Sequence, residues 1–426
     1  VSAPNLEELP SWAARLPAGW KVLPMRRILR RVEQGWSPVA QDRTASPDEW
    51  AVIKLSAVCD GSFVADENKA LDAATAPEPR FEIREGDVLL TRANTPDLVG
   101  DACFVRATRP RLMLSDLVYR LEVDRLRVDP AYFVYWLRSA PGRAQIRADA
   151  RGSSQSMVKV SQSHIGAWLV ALPPLMAQRQ ISAALDRKIS AIDELIKKKE
   201  RLLELIQEMQ QSATTQAVTR GLNPEVPAKD SGVEWIGVIP RHWTTMKVRH
   251  LCSLTTGGRD TQDAEDGGVY PFFVRSDNVE RINSYSFEGE GVLTSGDGAG
   301  VGRIFHHYIG RLEFHQRVYL YYGFKGVLGR FFFYYLREQL AKVVLAGNAK
   351  STVDSLRRPM LLDFPITVPP VEEQREIVRW LDGFVFSVSQ LRNRLLRQLE
   401  LLRECREAVI TAAVTGQLDI QAAEAA

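Results

Sequence analysis

Apolar positions recur with a seven-residue period in two long stretches of the chain. In the later stretch Leu381, Val388, Leu395, Leu402 and Val409 mark the period, with Phe384, Leu391, Gln398 and Cys405 read as the intermediate positions. In the earlier stretch Leu185, Ile192, Lys199, Ile206 and Ala213 do the same, with Lys188, Leu195, Leu202 and Met209 between them. Charged residues such as Lys197, Glu200, Glu204, Arg392 and Glu400 fill the remaining faces, as solvated positions should. Pro174 and Pro370 stand where proline opens a helix, and Gly221 and Gly416 where glycine closes one. Two long helices are predicted, each with one unsatisfied apolar stripe. The economical arrangement packs them on each other as an antiparallel coiled coil, which relates two halves of the molecule by a pseudo-twofold axis. Lys188 and Lys199 in the seam suit a role in fixing register.

The rest of the chain carries a strand pattern. Short β-rich runs at Trp50 to Val58, Asp87 to Leu90, Ala102 to Val105, Leu117 to Val123, Val269 to Val274 and Arg317 to Tyr322 are broken by Gly, Pro and Asp. Short helical stretches, Ala131 to Arg147 and Leu328 to Val344, follow them. The class is therefore α+β: a domain over 1–172, a helix over 173–221, a second domain over 222–368 and a second helix over 369–418.

This alternation is a duplication. Pro173-Pro174-Leu175-Met176-Ala177-Gln178-Arg179-Gln180-Ile181 is matched by Pro369-Pro370-Val371-Glu372-Glu373-Gln374-Arg375-Glu376-Ile377, and at the same offset Ala217-Val218-Thr219 by Ala413-Val414-Thr415. Upstream, Leu16-Pro17-Ala18-Gly19-Trp20 meets Ile239-Pro240-Arg241-His242-Trp243, and Tyr135-Trp136-Leu137-Arg138 meets Tyr334-Tyr335-Leu336-Arg337. The helices kept their length while the domains drifted apart. A helix of about 40 residues spans roughly 60 Å, and dimeric DNA readers place half-sites roughly 34–36 Å apart. Such a pair is long enough to serve as a spacer between two reading domains.

Composition leaves this picture intact. The 426 residues are 45% hydrophobic and 25% charged, with mean hydropathy −0.17, as in a multidomain globular protein. No apolar run reaches the eighteen residues of a membrane span, and the opening Val1-Ser2-Ala3-Pro4-Asn5 lacks signal-peptide character, so a cytoplasmic location without membrane contact is expected. Cys59, Cys103, Cys252 and Cys405 are far apart and form no C-x-x-C, so neither a disulfide framework nor a zinc ribbon is suggested. A net charge of +3 permits a polyanionic partner without requiring one.

Candidate chemistry gathers in the loops. Arg and Lys neutralise phosphates, and Arg, Asn and Gln address base edges with two bonds. In the first domain these are Gln34, Trp36 and Ser37; Arg92, Asn94 and Thr95; and Arg151, Ser153, Ser154, Gln155 and Ser156 with Lys159. In the second they are Arg259; Arg275, Ser276 and Asn278; Arg303; His315, Gln316 and Arg317; and Asn348, Lys350 and Ser351. Any one of these is an ordinary solvated loop by composition, and recurrence in both halves is what favours a function. Arg26, Arg27, Arg30 and Arg31 read equally as a solvated helix face or a phosphate contact.

Motifs for catalysis fail on inspection. Gly296-Asp297-Gly298-Ala299-Gly300-Val301-Gly302 never satisfies the dinucleotide fingerprint and is better read as a flexible loop, while Gly347-Asn348-Ala349-Lys350-Ser351 lacks the glycines of a phosphate loop. Asn94-Thr95-Pro96-Asp97 lacks the second proline and the aromatic of an amino-methyltransferase motif. Glu67-Asn68-Lys69 has no partner acid for a nuclease, and His306, His307 and His315 have no patterned co-ligands, so no metal is expected.

Asp230-Ser231-Gly232-Val233-Glu234-Trp235-Ile236-Gly237-Val238-Ile239-Pro240-Arg241-His242-Trp243 closely resembles the opening of the second recognition domain in specificity subunits of type I restriction-modification systems. The Pro-Pro and Glu-Gln-Arg-Glu-Ile motif at 369–377, and Ala413-Val414-Thr415-Gly416-Gln417-Leu418, are similar to that family's helical regions. The resemblance spans nearly the whole chain. The first copy departs at Met176 and Ala177, in place of the acidic pair, and at Arg220 in place of glycine. It implies a non-catalytic subunit that reads a bipartite site in double-stranded DNA, one half-site per target-recognition domain. It further implies two modification subunits that bind S-adenosylmethionine and methylate adenine, and two restriction subunits that use ATP and Mg, with no cofactor in this chain. From the residues alone, a coiled-coil scaffold that oligomerises and binds other proteins stays open beside this reading.

Overall fold

The computed structural model describes residues 10–154, 157–347 and 356–418. It consists of two compact units, one formed by residues 1–199 with 397–426 and the other by 200–396. The long helices Leu175–Arg220 and Val371–Val414 each contribute one part to each unit. No helix among the described residues is long and apolar enough to cross a membrane.

In the first unit the strand Lys21–Pro24 runs antiparallel to Leu169–Leu172, which brings the beginning and end of the globular part together at the start of the long helix. Four antiparallel strands follow in the order Leu29–Gln34, Val118–Val123, Val88–Thr91, Ala102–Phe104. A smaller sheet places Ala51–Ile53 between a parallel neighbour, Leu112–Met113, and an antiparallel one, Asn68–Ala70. The helix Pro130–Arg138 starts on proline with the Asp129 carboxylate accepting the Tyr132 N–H, and it buries Tyr132, Phe133 and Trp136 completely. These aromatics join Ile181, Leu185 and Ile189 of the first long helix and Ile410, Ala413 and Val414 of the second in one core.

The second unit repeats the plan. Thr244–Lys247 pairs antiparallel with Pro365–Val368, and the helix Gly329–Gly347 buries Phe332, Tyr334 and Tyr335 against Ile377 and Leu381. Here one ten-residue strand, Phe305–Phe314, pairs antiparallel with Phe287–Ser295 and then parallel with Tyr270–Phe273. It does the work of the two short strands Ala102–Phe104 and Leu112–Met113 of the first unit, so the second sheet is continuous with six strands.

Within each unit the two helix segments run antiparallel. In the first, Arg406 meets Asp193 at 3.0 Å and Lys199 donates to Gln398 at 2.7 Å. In the second, Ile206 packs with Val388 and Leu395, and Thr367 donates to the Val218 carbonyl. The seam keeps Leu185, Ile192, Ile206, Leu381, Val388, Leu395 and Leu402, but its alternate positions differ from those read off the sequence. Phe384 packs in the seam half-buried, but Leu195, Leu202 and Leu391 are 42%, 42% and 44% exposed and Met209 and Cys405 are exposed; the alternates are instead the buried Ile189, Ile196 and Leu399 and the half-buried Leu203. The spacing after each seam residue is four, then three. The doublets Leu195-Ile196 and Leu202-Leu203 make both phases apolar, and only the partner helix decides between them.

The Pro-Pro motif joins domain to helix. Gln178 is buried; its Oε1 accepts the Asp129 N–H at 2.9 Å, and its Nε2 donates to the carbonyls of Arg127 and Pro173. Gln374, fully buried, accepts the Leu328 N–H at 2.8 Å and donates to the carbonyls of Gly326 and Pro369. The duplicated motif has thus kept one hydrogen-bond set in two different surroundings. A second shared contact lies two turns on, where Tyr135 donates to Asp186 at 2.8 Å and Tyr334 to Asp382 at 2.6 Å. The opening motif docks differently in the two units. Glu373 accepts from both His242 and Trp243 in the second, whereas Ala177 offers no acceptor in the first.

Candidate nucleic-acid interface

In an antiparallel sheet, alternate strand ends fall on one edge, and this places the candidate loops. In the first unit Leu29–Gln34 ends, Val118–Val123 begins and Val88–Thr91 ends on the same side, with Tyr119 opposite Gln34 and Val118 opposite Thr91. The turn Leu114 to Val118 binds both neighbours: Trp36 N–H donates to the Leu114 carbonyl at 3.1 Å, and Arg92 N–H to the Leu117 carbonyl at 2.7 Å. Gly35 is required here, because a Cβ would overlap the Leu114 and Ser115 carbonyl oxygens. Ala93–Asn94 then pairs with Met157–Lys159, which pairs with Arg151–Ser154, so Asn94, Lys159 and Arg151 lie on adjacent strands. The structure therefore gathers Gln34, Trp36, Arg92, Asn94, Arg151 and Lys159 at one end of the unit. Ser37, Thr95, Arg151 and Lys159 are exposed there, and Gln34, Trp36, Arg92 and Asn94 are half-buried. Ser153 and Ser154 belong to the strand Arg151–Ser154, while Gln155 and Ser156 lie outside the described residues.

The second unit builds its edge from the same parts. Gly257 follows the strand Ser253–Thr256, and a Cβ on it would overlap the Phe314 carbonyl. Gln316 N–H donates to the Arg259 carbonyl at 2.8 Å, and the Gln316 amide to Asp260 at 2.8 Å. Gly296 N–H donates to the Arg317 carbonyl at 2.8 Å, matching the bond from Arg92 to Leu117. Val160 N–H donates to the Arg92 carbonyl and Leu356 N–H to the Gly296 carbonyl, with Tyr119 and Tyr319 hydroxyls closing on Val160 and Leu356 respectively. Arg259 and Asn278 are exposed; Arg303 is exposed on the turn after Gly298–Gly300, where its N–H donates to Gly300. Ser276 accepts the Asn278 N–H, and its carbonyl lies 3.2 Å from His306. Asn348, Lys350 and Ser351 lie outside the described residues.

His315 sits beneath this edge, 1% exposed. Its Nδ1 accepts the Arg317 N–H at 2.9 Å, so Nε2 carries the proton, and Nε2 stands 3.8 Å from Asp260 without a hydrogen-bond partner. Burial and the nearby Arg275 guanidinium push its basicity down, so it is a neutral fixture rather than a phosphate cation. Above it, Asp297 accepts from Arg275 at 3.0 Å through one carboxylate oxygen and from Arg317 at 2.8 Å through the other. The Gly296 to Gly302 stretch, expected as a featureless loop, is thus a short 3-10 turn that mounts a carboxylate.

Two further expectations change. Arg26 and Arg27 lie in a 3-10 turn and Arg30 and Arg31 on a strand, with Arg30 paired to Asp124 and Arg31 to Glu33, so they do not form a helix face. The carboxylates Asp260 and Asp297, unremarked in the sequence, organise the second edge; an acid in a Gly-rich segment reads as a loop until its partners are known. Among the described residues no cluster of His, Cys, Asp or Glu is placed to hold a metal ion.

Residues 240–401, which contain the whole described second edge and the Gln374 joint, match the type I restriction modification DNA specificity domain. A putative type I restriction enzyme MjaX specificity subunit of Methanocaldococcus jannaschii is 22% identical over 95% of each chain. The chain is similar to type I specificity subunits, through residues 240–401 and through this longer, weaker match. Among these subunits the EcoEI protein of Escherichia coli is 30% identical over 46% of this chain and 32% of its own length. The EcoDI subunit of the same organism is 30% identical over 43% of this chain and 40% of its own, so the chain matches well under half of either relative. A chain solved in a study of complex assembly and conformational transition of the type I restriction-modification system shares the fold, with TM-score 0.67 at 19% identity over 95% of this chain and 99% of that one.

Proposed function

We propose that this chain is a specificity subunit that reads double-stranded DNA, each unit contacting one half of a split target through the edge described above. The observation that carries the reading is the repeated edge: one backbone clamp, made by Val160 on Arg92 in one unit and Leu356 on Gly296 in the other, presents Arg, Asn and Gln side chains in both. Phosphates would be met by Arg151, Lys159, Arg259 and Arg303, and base edges by the half-buried Gln34, Arg92 and Asn94 and by Arg317. Because the seam is filled within each unit, the helices need no second chain to bury it, which weighs against the scaffold alternative. Their second apolar stripe, exposed at Leu202, Leu205, Met209 and Leu391, suits a protein partner. We assign that stripe to modification subunits, with S-adenosylmethionine, ATP and Mg handled by the modification and restriction subunits.

Duplex binding by the full chain, measured at two salt concentrations, tests the first step. Affinity is expected to fall by a slope of about 0.9 per phosphate neutralised. Sequencing of methylated DNA from cells carrying the chain with its modification subunit is expected to show a split motif. A continuous motif, or duplex binding indifferent to salt, overturns the reading.

A further inference from the structure

The two candidate edges share a frame but differ in charge. In the second, Asp297 is bound on both oxygens by guanidinium groups, and only 15% of its side chain is exposed, against 44% of Arg275 and 60% of Arg317. The main chain that carries the carboxylate is itself anchored, since Ser295 Oγ donates to the Asp297 carbonyl at 2.9 Å and Gly296 N–H to the Arg317 carbonyl. Arg317 is fixed at its other end by its N–H on buried His315. In the first unit Arg92 occupies the place of Gly296, and its guanidinium is held by a backbone carbonyl, that of Asp116, at 3.3 Å.

A carboxylate in this position does two things. It removes the rotameric freedom of two long side chains, so less entropy is lost when their remaining N–H groups meet acceptors. It also cancels about one of the two positive charges, which weakens sequence-blind attraction to phosphate. Each guanidinium engages Asp297 through Nη1, which leaves Nε and Nη2 without a partner among the described residues and able to meet a planar acceptor pair such as guanine O6 and N7. We infer that Asp297 is a specificity-determining positioning residue of the second unit, holding Arg275 and Arg317 as a paired fork for base edges rather than as phosphate contacts. This deepens the DNA-reading proposal and rests on it.

The test is selection from a duplex library randomised over about three helical turns, using the full chain, D297N and R317K, with the bound fraction sequenced. A fixed guanidinium fork discriminates its base by roughly 5- to 150-fold. D297N keeps the shape and loses the charge. It is expected to lose discrimination in that range at one half of the motif, to keep the other half unchanged, and to bind scrambled duplex more tightly. R317K, which keeps the charge and loses the fork, is expected to degrade the same half. If the unaltered chain enriches no motif, the DNA-reading proposal itself fails. If it enriches a split motif and D297N enriches the same motif equally, or degrades both halves, the role of Asp297 is overturned.

Discussion

Replacing Gln374 by glutamate probes the joint between the second globular domain and its helix with almost no change of shape. The native amide is fully buried and makes three bonds, accepting from Leu328 at 2.8 Å and donating to Gly326 at 3.0 Å and Pro369 at 2.8 Å. A carboxylate keeps the first and turns the other two into contacts between oxygens. Each buried group left without its partner costs about 1–3 kcal/mol, and a buried charge adds to that. A loss of about 2–6 kcal/mol follows before the charge is added, or roughly 4–24 °C in melting temperature for a unit of this size. Scanning calorimetry of Q374E beside Q374A measures it. Q374E is expected to lose at least as much as Q374A despite its better fit, and part of the loss is expected to return in acid, where the introduced carboxyl is protonated and donates again. A Q374E protein that melts within a degree or two of the native one would refute the hydrogen-bond account and leave packing as the role of this side chain.

The corrected seam phase predicts unequal costs along one helix. I196A is expected to lose about 2–5 kcal/mol and L195A under about 0.5 kcal/mol, compared by urea unfolding; equal losses would restore the phase read from the sequence. Tyr334 is pushed up to about 12, chiefly by burial and further by donating to Asp382. The unfolded chain loses this proton near pH 10 while the folded one keeps it, so stability is complete below pH 10 and falls as pH rises toward 12. Y334F is expected to flatten that part of the stability profile, and an unchanged slope would count against the buried hydroxyl as its source.

Much of the architecture is written in spacing. The ungapped offset between Pro173-Pro174 and Pro369-Pro370 and the period through Leu185 and Leu381 suffice for two helices, because a helix has a fixed pitch. The second half of the seam was not legible, since Leu195-Ile196 and Leu202-Leu203 are apolar in both phases. Sheet order was hidden as well: nothing in residues 305–314 distinguishes one strand that serves two neighbours from the two short strands of the first unit. Of the interface, the polar loops were legible one by one. Their meeting depended on antiparallel register, which brings Gln34 beside Val118 and Thr91. Arg26 to Arg31 misled because basic residues at helical spacing also fit a turn followed by a strand, once Met25 and Ile28 are the buried positions.

The glutamine joint bears on how such a molecule could acquire a new domain. Gln178 and Gln374 form hydrogen bonds with main-chain atoms of the domains they seat: one amide hydrogen and one carbonyl from each, at Asp129 and Arg127 or at Leu328 and Gly326. These bonds make no demand on which side chains the domain carries. A foreign domain that offers the same bend of backbone would be held as firmly as the resident one, so exchange of whole domains, more than gradual substitution, is the path this joint leaves open to inheritance.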